Sequence, residues 1–148
     1  MKAMIMSAGK GTRLGEITRS MPKVLVDING KSLLQHAVEY CCSYGFDDII
    51  VNVHYLADMV EEEIKRINAK GFRISVSDER ELLLENGGGL YKARHFFDKN
   101  PFLVYNADIV TDLDLSLLLD LHLEKKALAT LAVRERPGSR FLLTDKDG

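Results

Sequence analysis

Short apolar segments alternate along this chain with amphipathic helical patterns, and this alternation limits the folds that the chain can adopt. Apolar segments typical of buried strands stand at residues 3–7, 49–53, 73–77 and 102–105. Apolar residues spaced three or four apart predict helices at residues 33–42, 56–67 and 115–123. Strands joined by crossover helices form a mostly parallel sheet with helices on both faces. We therefore predict a Rossmann-like α/β fold whose ligands bind at the carboxyl ends of the strands.

The ends of the predicted helices are marked by short-range signals. Ser32 precedes the first helical pattern and Gln35 stands three residues later, which is the spacing of a capping box. Gly45 and Gly71 stand just past the first and second helical patterns, where helices commonly stop. A further short helix is predicted to follow the glycines at 87–89, and residues 127–133 are again strand-like.

Composition and charge exclude several classes of function. The 148 residues include 20 Lys plus Arg and 22 Asp plus Glu, and the net charge of −2 argues against nucleic-acid binding. No apolar run approaches the roughly 20 residues of a membrane span, and the amino terminus lacks the pattern of a signal peptide. Cys41 and Cys42 are adjacent in a helical pattern, which favours small buried side chains over a disulfide or a metal cage. These features predict a cytoplasmic protein.

The carboxyl-terminal residues have the pattern of an incomplete hairpin. Residues 141–144 are strand-like and residues 145–148 have the composition of a hairpin turn, but no returning strand follows. We therefore expect residues 1–148 to be the amino-terminal part of one longer, C-terminally truncated domain. The oligomeric state, including a homo-oligomer, stays open.

A glycine-rich segment follows the first predicted strand, with the sequence Ser7-Ala8-Gly9-Lys10-Gly11-Thr12-Arg13-Leu14. It is not a Walker phosphate loop, since Lys10 is followed by glycine rather than by Ser or Thr. It is not a dinucleotide fingerprint, because Leu14 occupies the position of the third glycine. The segment remains a turn with exposed main-chain N–H groups, with the cations Lys10, Arg13 and Lys23 available to it. Such a turn suits a triphosphate, and a turn with solvated basic residues is the alternative.

The segment Met21-Pro22-Lys23-Val24-Leu25 favours the first alternative. With it, residues 3–35 closely resemble the signature of the sugar-1-phosphate nucleotidyltransferases, a Leu-Ala-Ala-Gly-x-Gly-Thr-Arg-Leu stretch followed by Pro-Lys-x-Leu. Two positions depart from this pattern: Ser7 stands where the family usually has Ala, and Glu16 where it usually has Pro. The resemblance implies the nucleotide-diphospho-sugar transferase fold.

The resemblance also implies a role for each matching residue. Arg13 matches the catalytic arginine that binds the phosphates of the nucleotide. Lys23 matches the catalytic lysine that lies between the nucleotide and the sugar phosphate. The residues expected to wrap the incoming nucleotide are Ala8, Gly9, Gly11 and Thr12, with Lys10 beside them.

A second segment, Glu81-Leu82-Leu83-Leu84-Glu85-Asn86-Gly87-Gly88-Gly89, resembles the Leu-Glu-Thr-Gly-Gly-Gly segment of the family's guanylyl- and uridylyltransferases. Asn86 replaces the Thr. Gly87 and Gly88 would let a base or ribose approach the main chain closely, and Glu85 could accept hydrogen bonds from two ring donors of guanine. Guanine is therefore the first choice and uracil the second. The alternatives are a solvated loop charge or helix-start carboxylate for Glu85 and a flexible connection for the glycines.

A third segment, Val104-Tyr105-Asn106-Ala107-Asp108, resembles the family's Asn-Gly-Asp at the end of a strand. The resemblance implies that Asp108 holds Mg²⁺ against the phosphates and that Asn106 belongs to the nucleotide site. Mg²⁺ at phosphate sites is usually held by one or two carboxylates, together with phosphate oxygens and water. A turn or helix cap is the alternative for Asp108, and Asp112 and Asp114 compete for the metal.

Two further features are interpreted as structural. His54 belongs to a Val-Asn-x-His element of the resembled family, but an ionised phosphate nucleophile needs no general base, so His54 is expected to be structural. The three glutamates at 61–63 are expected to form a solvated helix face.

The reaction that the resemblance implies joins a nucleoside triphosphate to a sugar 1-phosphate. It transfers the nucleoside monophosphate of GTP to a mannose-1-phosphate-like sugar, and gives an NDP-sugar and pyrophosphate. The alternatives are a uridylyl-, thymidylyl-, adenylyl- or cytidylyltransferase of the same fold, and a non-catalytic domain that binds nucleotides or assembles subunits. The expected partners are small phosphorylated molecules, with no nucleic acid and no membrane.

Overall fold

Strands and connecting helices alternate along the chain as the sequence predicts. The structure, a computed structural model, describes residues 1–9, 11 and 15–134. In chain order the elements are β1 (Lys2–Met6), α1 (Ile17–Ser20), β2 (Asp27–Ile28), β3 (Lys31–Ser32), α2 (Leu33–Ser43), β4 (Asp48–Val53), α3 (Ala57–Asn68), β5 (Arg73–Asp78), α4 (Glu85–Lys92), β6 (Phe102–Asn106) and α5 (Leu115–Lys125). Short 3-10 helices lie at Lys23–Leu25 and Ala93–Phe96. The chain divides after Asp112 into two compact units.

The four long strands form one parallel sheet in the order β5-β4-β1-β6. β4 pairs with one side of β1, from Lys2↔Asp48 to Met6↔Asn52, and β6 pairs with the other side. The chain first extends the sheet from β1 through β4 to β5, and then returns to the far side of β1 for β6. The strand order therefore reverses between β1 and β6, which is where open α/β sheets form a ligand crevice.

Helices cover both faces of the sheet, which confirms the predicted fold class. α2 packs on β1, and α3 packs on β4 and β5. On the other face, Met4 and Ile50 form an apolar cluster with Ala93 of the second 3-10 helix. Alternate side chains of a strand point to opposite faces, so each inner strand contributes to both layers. The right-handed crossover after β5 runs in the opposite direction and so places α4 on the second face.

The predicted helix boundaries are confirmed where their signals are local. The Ser32 hydroxyl accepts a hydrogen bond from the main-chain N–H of Gln35 at 3.0 Å, which caps α2. Gly45 and Gly71 follow α2 and α3 with φ angles of +79° and +97°, left-handed conformations that favour glycine. Leu56 differs from the prediction. It precedes α3 with a φ of +48° and is 37% exposed, so it is not part of the buried stripe.

An antiparallel hairpin, which the apolar pattern does not predict, pairs β2 with β3. Asn29 and Gly30 form its turn with φ angles of +54° and +81°. Two residues with positive φ are typical of the tightest hairpin turns, and Asn-Gly is a preferred sequence for them. The Asn-Gly dipeptide is therefore the signal by which this hairpin can be found.

The second unit contains α5, as predicted. The Asp114 carboxylate accepts a hydrogen bond from the main-chain N–H of Ser116 at 2.9 Å and so caps this helix. The hydrogen bonds from Ser116 also lower the pKa of Asp114, which keeps the cap charged at neutral pH. Asp114 therefore caps a helix, and this role takes the place of the metal-binding role for which it was a competing candidate.

The strand predicted at residues 127–133 is wrong. These residues are irregular, and the described part of the second unit, 113–134, offers no other strand with which they could pair. The apolar side chains that make this segment look strand-like are exposed: Leu128, Leu131 and Val133. Apolar composition alone does not make a strand, since main-chain groups need a pairing partner. The predicted hairpin at 141–148 lies outside the described residues.

The structure bears on two expectations that were drawn from composition. Cys41 is fully buried and Cys42 is half-buried, and neither forms a disulfide. Burial raises the pKa of the Cys41 thiol to about 12 and also raises the pKa of Cys42, so both thiols stay protonated at neutral pH. Among the helices that the structure describes, none is long and apolar enough to cross a membrane.

The cap of α2 leads to a stability prediction. Ser32 is buried, and its hydroxyl also donates to the Glu63 carboxylate at 2.7 Å. We expect Ser32→Ala to lower the free energy of unfolding by about 1–2 kcal/mol, because it removes both hydrogen bonds. Ser43→Ala, at the exposed end of the same helix, is the matched control and should cost less than about 0.5 kcal/mol. Urea denaturation measures both, and equal losses would contradict the capping role.

Candidate functional site

The candidate site lies at the carboxyl edge of the sheet, where β1 and β6 end side by side. β1 continues into Ser7–Gly9, and β6 ends at Asn106 and continues into Asp108. The main-chain N–H of Ala107 donates to the carbonyl of Met6 at 3.1 Å and extends the pairing by one residue. Two of the three segments singled out from the sequence therefore meet at the point where the strand order reverses.

Lys23 and Asp108 form an ion pair across this edge. The lysine Nζ donates to the Asp108 carboxylate, although the two residues are 85 positions apart in the sequence. Their side chains are 26% and 39% exposed, so both are open to a ligand that enters from the carboxyl side. The sequence predicts each of these residues separately, and the structure brings them together.

The turn after β1 packs against Lys23. The Thr18 hydroxyl donates to the carbonyl of Gly11 at 3.1 Å and fixes this part of the turn. Gly11 has a φ of +63°, and a Cβ atom there would lie 2.9 Å from the Cβ of Lys23. Only glycine fits this conformation and this approach without strain. Ala8 is buried beside β1 and Gly9 is exposed, whereas the predicted site residues Lys10, Thr12 and Arg13 lie outside the described residues.

A row of buried polar groups connects β1 to the neighbouring strands. The main-chain N–H of Ser7 donates to Asn52 Oδ1 at 2.7 Å, and the Ser7 hydroxyl donates to the Asn52 carbonyl. Asn52 Nδ2 in turn donates to Glu79 Oε1 at 3.0 Å. Both side chains are buried, with Glu79 only 1% exposed. Asn52 belongs to the Val-Asn-x-His element, but its part in this row was not predicted, and Glu79 was not predicted as a site residue at all.

Glu79 continues this row into the segment before α4. Its second oxygen, Oε2, accepts a hydrogen bond from the main-chain N–H of Leu84 at 3.2 Å. Its main-chain carbonyl lies 2.7 Å from His54 Nδ1, a contact that agrees with the structural interpretation of His54. The predicted segment at 81–89 is thereby tied to the turn after β1.

The three glycines lie inside α4 and not before it, so the predicted helix start and the flexible-connection alternative are both wrong. Glu85 begins the helix with a φ of +56° and is exposed. A Cβ on Gly89 would lie 2.7 Å from Glu79 Oε1 and 3.1 Å from Asn52 Nδ2. A Cβ on Gly88 would lie 2.9 Å from the Leu84 Cβ, whereas Gly87 faces open space. Gly89 therefore allows α4 to approach the buried polar row closely.

Arg80 anchors the same segment from the outside. Its guanidinium contacts the carboxylates of Asp58, Glu61 and Asp78 at 2.6–2.9 Å. The expected solvated face at 61–63 is therefore wrong for two of its three members. Glu61 pairs with Arg80 and the Glu63 side chain is 16% exposed, because the residues around β5 and β3 cover them.

Asp108 is the residue best placed to hold a divalent cation. Asp114 caps α5, and Asp112 is exposed at the end of the first unit. Within the ranges described, no group of three or more His, Cys, Asp or Glu side chains comes together as a complete metal cage. A single carboxylate fits Mg²⁺ if phosphate oxygens and water complete its ligands. Asn106 is exposed at the end of β6, two residues before Asp108 in the sequence.

Comparison with known proteins connects this geometry to one family. The family model described as nucleotidyl transferase matches residues 2–142. The chain is 40% identical to N-acetylmuramate alpha-1-phosphate uridylyltransferase of Caulobacter vibrioides, over 73% of this chain and 46% of that protein. It is 38% identical to the mannose-1-phosphate guanylyltransferase catalytic subunit beta of Xenopus tropicalis, over 90% of this chain and 38% of that protein. The chain thus spans less than half the length of these relatives.

A solved structure is also similar to this chain in fold and sequence. HddC from Yersinia pseudotuberculosis, crystallised with GMP-PN, superimposes on this chain with a TM-score of 0.73 and 29% sequence identity. The match covers 83% of this chain and 54% of HddC. The similarity extends to a protein whose crystal structure contains a guanine nucleotide analogue.

The packing of α4 leads to a prediction with a built-in control. We expect Gly89→Ala to lower the free energy of unfolding by about 1–3 kcal/mol, because its Cβ would overlap Glu79 and Asn52. Gly87→Ala, in the same helix, meets no atom within 4 Å and should stabilise the protein by up to about 1 kcal/mol through helix propensity. Chemical denaturation measures both, and effects of the same sign would contradict the close approach at Gly89.

Proposed function

This chain belongs to the nucleotidyl transferase family, and we propose that it binds a nucleoside triphosphate whose nucleotidyl group is transferred to a sugar 1-phosphate. The observation that carries the proposal is the meeting of Lys23, Asp108 and the turn at Gly11 in the crevice between β1 and β6. A cation, a carboxylate and a glycine-containing turn are the groups that a metal-bound polyphosphate needs. The names of the relatives, which act on sugar 1-phosphates, support the same class of substrate.

The chemistry of the proposed transfer is mainly a problem of charge. A phosphate oxygen of the sugar 1-phosphate forms a bond to the α-phosphorus of the nucleotide. The bond from that phosphorus to the β-phosphate oxygen breaks, and pyrophosphate leaves with the electron pair. Both substrates are polyanions and repel each other, so the protein contributes by positioning them and by neutralising charge. Lys23 lies where it can neutralise the phosphates, and Arg13 is proposed to do the same.

Asp108 is proposed to hold Mg²⁺ together with phosphate oxygens and water. When bound, the ion supplies positive charge next to the phosphates, which lowers the repulsion between the two substrates. In the structure, the Asp108 carboxylate forms its ion pair with Lys23. With a nucleotide and a cation bound, Lys23 would pair with a phosphate, and the Asp108 carboxylate would be free to hold the cation.

We propose GTP as the favoured nucleotide and a mannose-1-phosphate-like sugar as the acceptor. Glu85 is exposed at the start of α4, where its carboxylate can accept hydrogen bonds from the two ring donors of guanine. The similarity to HddC and to the Xenopus guanylyltransferase supports this choice. UTP is the second candidate, because the Caulobacter relative and a relative from Synechocystis sp., 37% identical over 93% of this chain and 38% of that protein, are uridylyltransferases.

A cytoplasmic location is proposed as well. The two cysteines are unpaired, as expected in a reducing compartment. The alternative from another class is a non-catalytic domain that binds nucleotides or assembles subunits. A binding test distinguishes a pure assembly domain, which binds no nucleotide, from the proposed enzyme.

The first test compares nucleotides by thermal shift. With Mg²⁺ present, we expect GTP to raise the melting temperature most and UTP next, with dTTP, CTP and ATP giving smaller shifts. A specific ligand stabilises the folded state by RT ln(1 + [L]/Kd), so the tightest ligand gives the largest shift at equal concentration. A larger shift with UTP would change the proposed base and leave the class intact. The absence of a shift with all five would contradict nucleotide binding.

The second test separates the roles of Lys23 and Asp108 by isothermal titration. We expect Lys23→Ala to weaken nucleotide binding about ten- to hundredfold, since a charge-assisted hydrogen bond to phosphate is lost. Asp108→Asn should abolish the gain in affinity that Mg²⁺ gives to the unmodified chain.

Asp98→Asn is the matched control for the second test. It removes the carboxylate that pairs with Lys2 at 3.5 Å, and Lys2 begins β1 at the opposite end of the sheet. This variant should keep both the affinity and its dependence on Mg²⁺. An Asp108→Asn protein that still responds fully to Mg²⁺ would remove Asp108 from the proposed metal site.

A further inference from the structure

The buried carboxylate of Glu79 has no role in the chemistry described so far. It is 1% exposed, and its side-chain partners are an amide and a main-chain N–H, both of which are neutral. Burying a carboxylate is costly, and an apolar residue of similar size is often as stable at such a position. Its arrangement therefore calls for an explanation beyond stability.

Glu79 lies in the middle of a continuous row of hydrogen bonds. The row begins at the main-chain N–H of Ser7, in the turn after β1, and passes through Asn52 at 2.7 Å. It continues from Asn52 to Glu79 at 3.0 Å and ends at the main-chain N–H of Leu84 at 3.2 Å. Leu84 directly precedes α4. The row thus runs from the segment proposed for the phosphates to the segment proposed for the base.

The pattern of donors and acceptors in this row restricts which residue types can stand at positions 52 and 79. Both ends, at Ser7 and Leu84, are main-chain N–H donors that cannot be reversed. The two side chains between them must therefore offer three acceptors and one donor. Asn52 with Glu79 meets this requirement, and so would Asp at 52 with Gln at 79. Two amides leave a pair of donors facing each other, and two carboxylates leave a pair of acceptors.

We propose that Glu79 is a positioning residue that holds the turn after β1 and the start of α4 at the spacing that a single nucleotide requires. This inference rests on the proposed function, since it assumes that the two segments bind the two ends of one nucleotide. A ligand that reaches both segments gains affinity when their spacing is fixed in advance. A ligand that reaches only the phosphate segment gains nothing from that spacing.

The experiment exchanges the amide and the carboxylate between positions 52 and 79 and tests whether the exchange restores nucleotide binding. Glu79→Gln keeps the size of the side chain and creates one donor facing another. Asn52→Asp alone places a carboxylate against a carboxylate, and the double variant Asn52→Asp/Glu79→Gln restores three acceptors and one donor. The decisive comparison is between Glu79→Gln and the double variant, so it stands even if Asn52→Asp alone does not fold.

Binding of GTP and UTP, each with Mg²⁺, is compared with binding of tripolyphosphate, which has no base. We expect Glu79→Gln to weaken binding of the preferred nucleotide about tenfold or more. Its affinity for tripolyphosphate should stay within about twofold of the unmodified chain. The double variant should recover the nucleotide affinity. Melting temperatures are recorded for every variant, and titrations are made where each is folded.

Asn68→Asp is the control for a variant that loses stability but keeps the spacing between the turn after β1 and the start of α4. Asn68 exchanges two hydrogen bonds with the main chain of Ile74, at 2.9 and 3.0 Å, near the amino end of β5. The substitution replaces the donor to the Ile74 carbonyl with a carboxylate oxygen, so one hydrogen bond becomes a repulsive contact far from the carboxyl edge. It should lower the melting temperature and leave nucleotide affinity unchanged.

The outcomes distinguish the inference from its premise. If the unmodified chain binds no nucleoside triphosphate in the thermal-shift test, the proposed function fails and the inference fails with it. If the unmodified chain binds and Glu79→Gln binds equally well, the inference alone is overturned. Equal losses for nucleotide and tripolyphosphate, without recovery in the double variant, would also overturn it by showing a merely structural role.

Discussion

The pairing of β1 on both of its sides is the constraint on which the rest of the site depends. Main-chain hydrogen bonds hold β1 between β4 and β6 in a defined register. The bond from Ala107 to Met6 carries the register of β6 into the turn that bears Asp108. The turns that leave β1 and β6 are consequently held next to each other at their bases. Lys23 can reach Asp108 because of this frame.

Much of the fold can be predicted from the sequence because many of its signals act over a few residues. Ser32 and Gly71 mark helix ends through contacts or backbone conformations that involve only their near neighbours. The alternation of strands and helices is enough to predict a parallel sheet. Leu56 shows the limit of spacing rules. Its distance from Val60 suits a helix, but the chain needs a left-handed residue there to turn from β4 into α3.

The site could be predicted only as separate candidates. Lys23 and Asp108 are recognisable by their motifs, but their contact depends on a strand order that no short segment encodes. Glu79 gives no such signal. It stands between Asp78 and Arg80 in a polar stretch that resembles a solvated loop, and its partner Asn52 is 27 residues away. Its burial results from the close approach of Gly89, which only the packed structure reveals.

Before any substrate arrives, Lys23 and Asp108 already neutralise each other. A free polyanion that approaches this pair meets the repulsion of the carboxylate, and a free divalent cation meets the repulsion of the lysine. A chelate that carries both signs can satisfy the two side chains in one step. On the proposed function, this ion pair therefore favours the assembled chelate over its separate components.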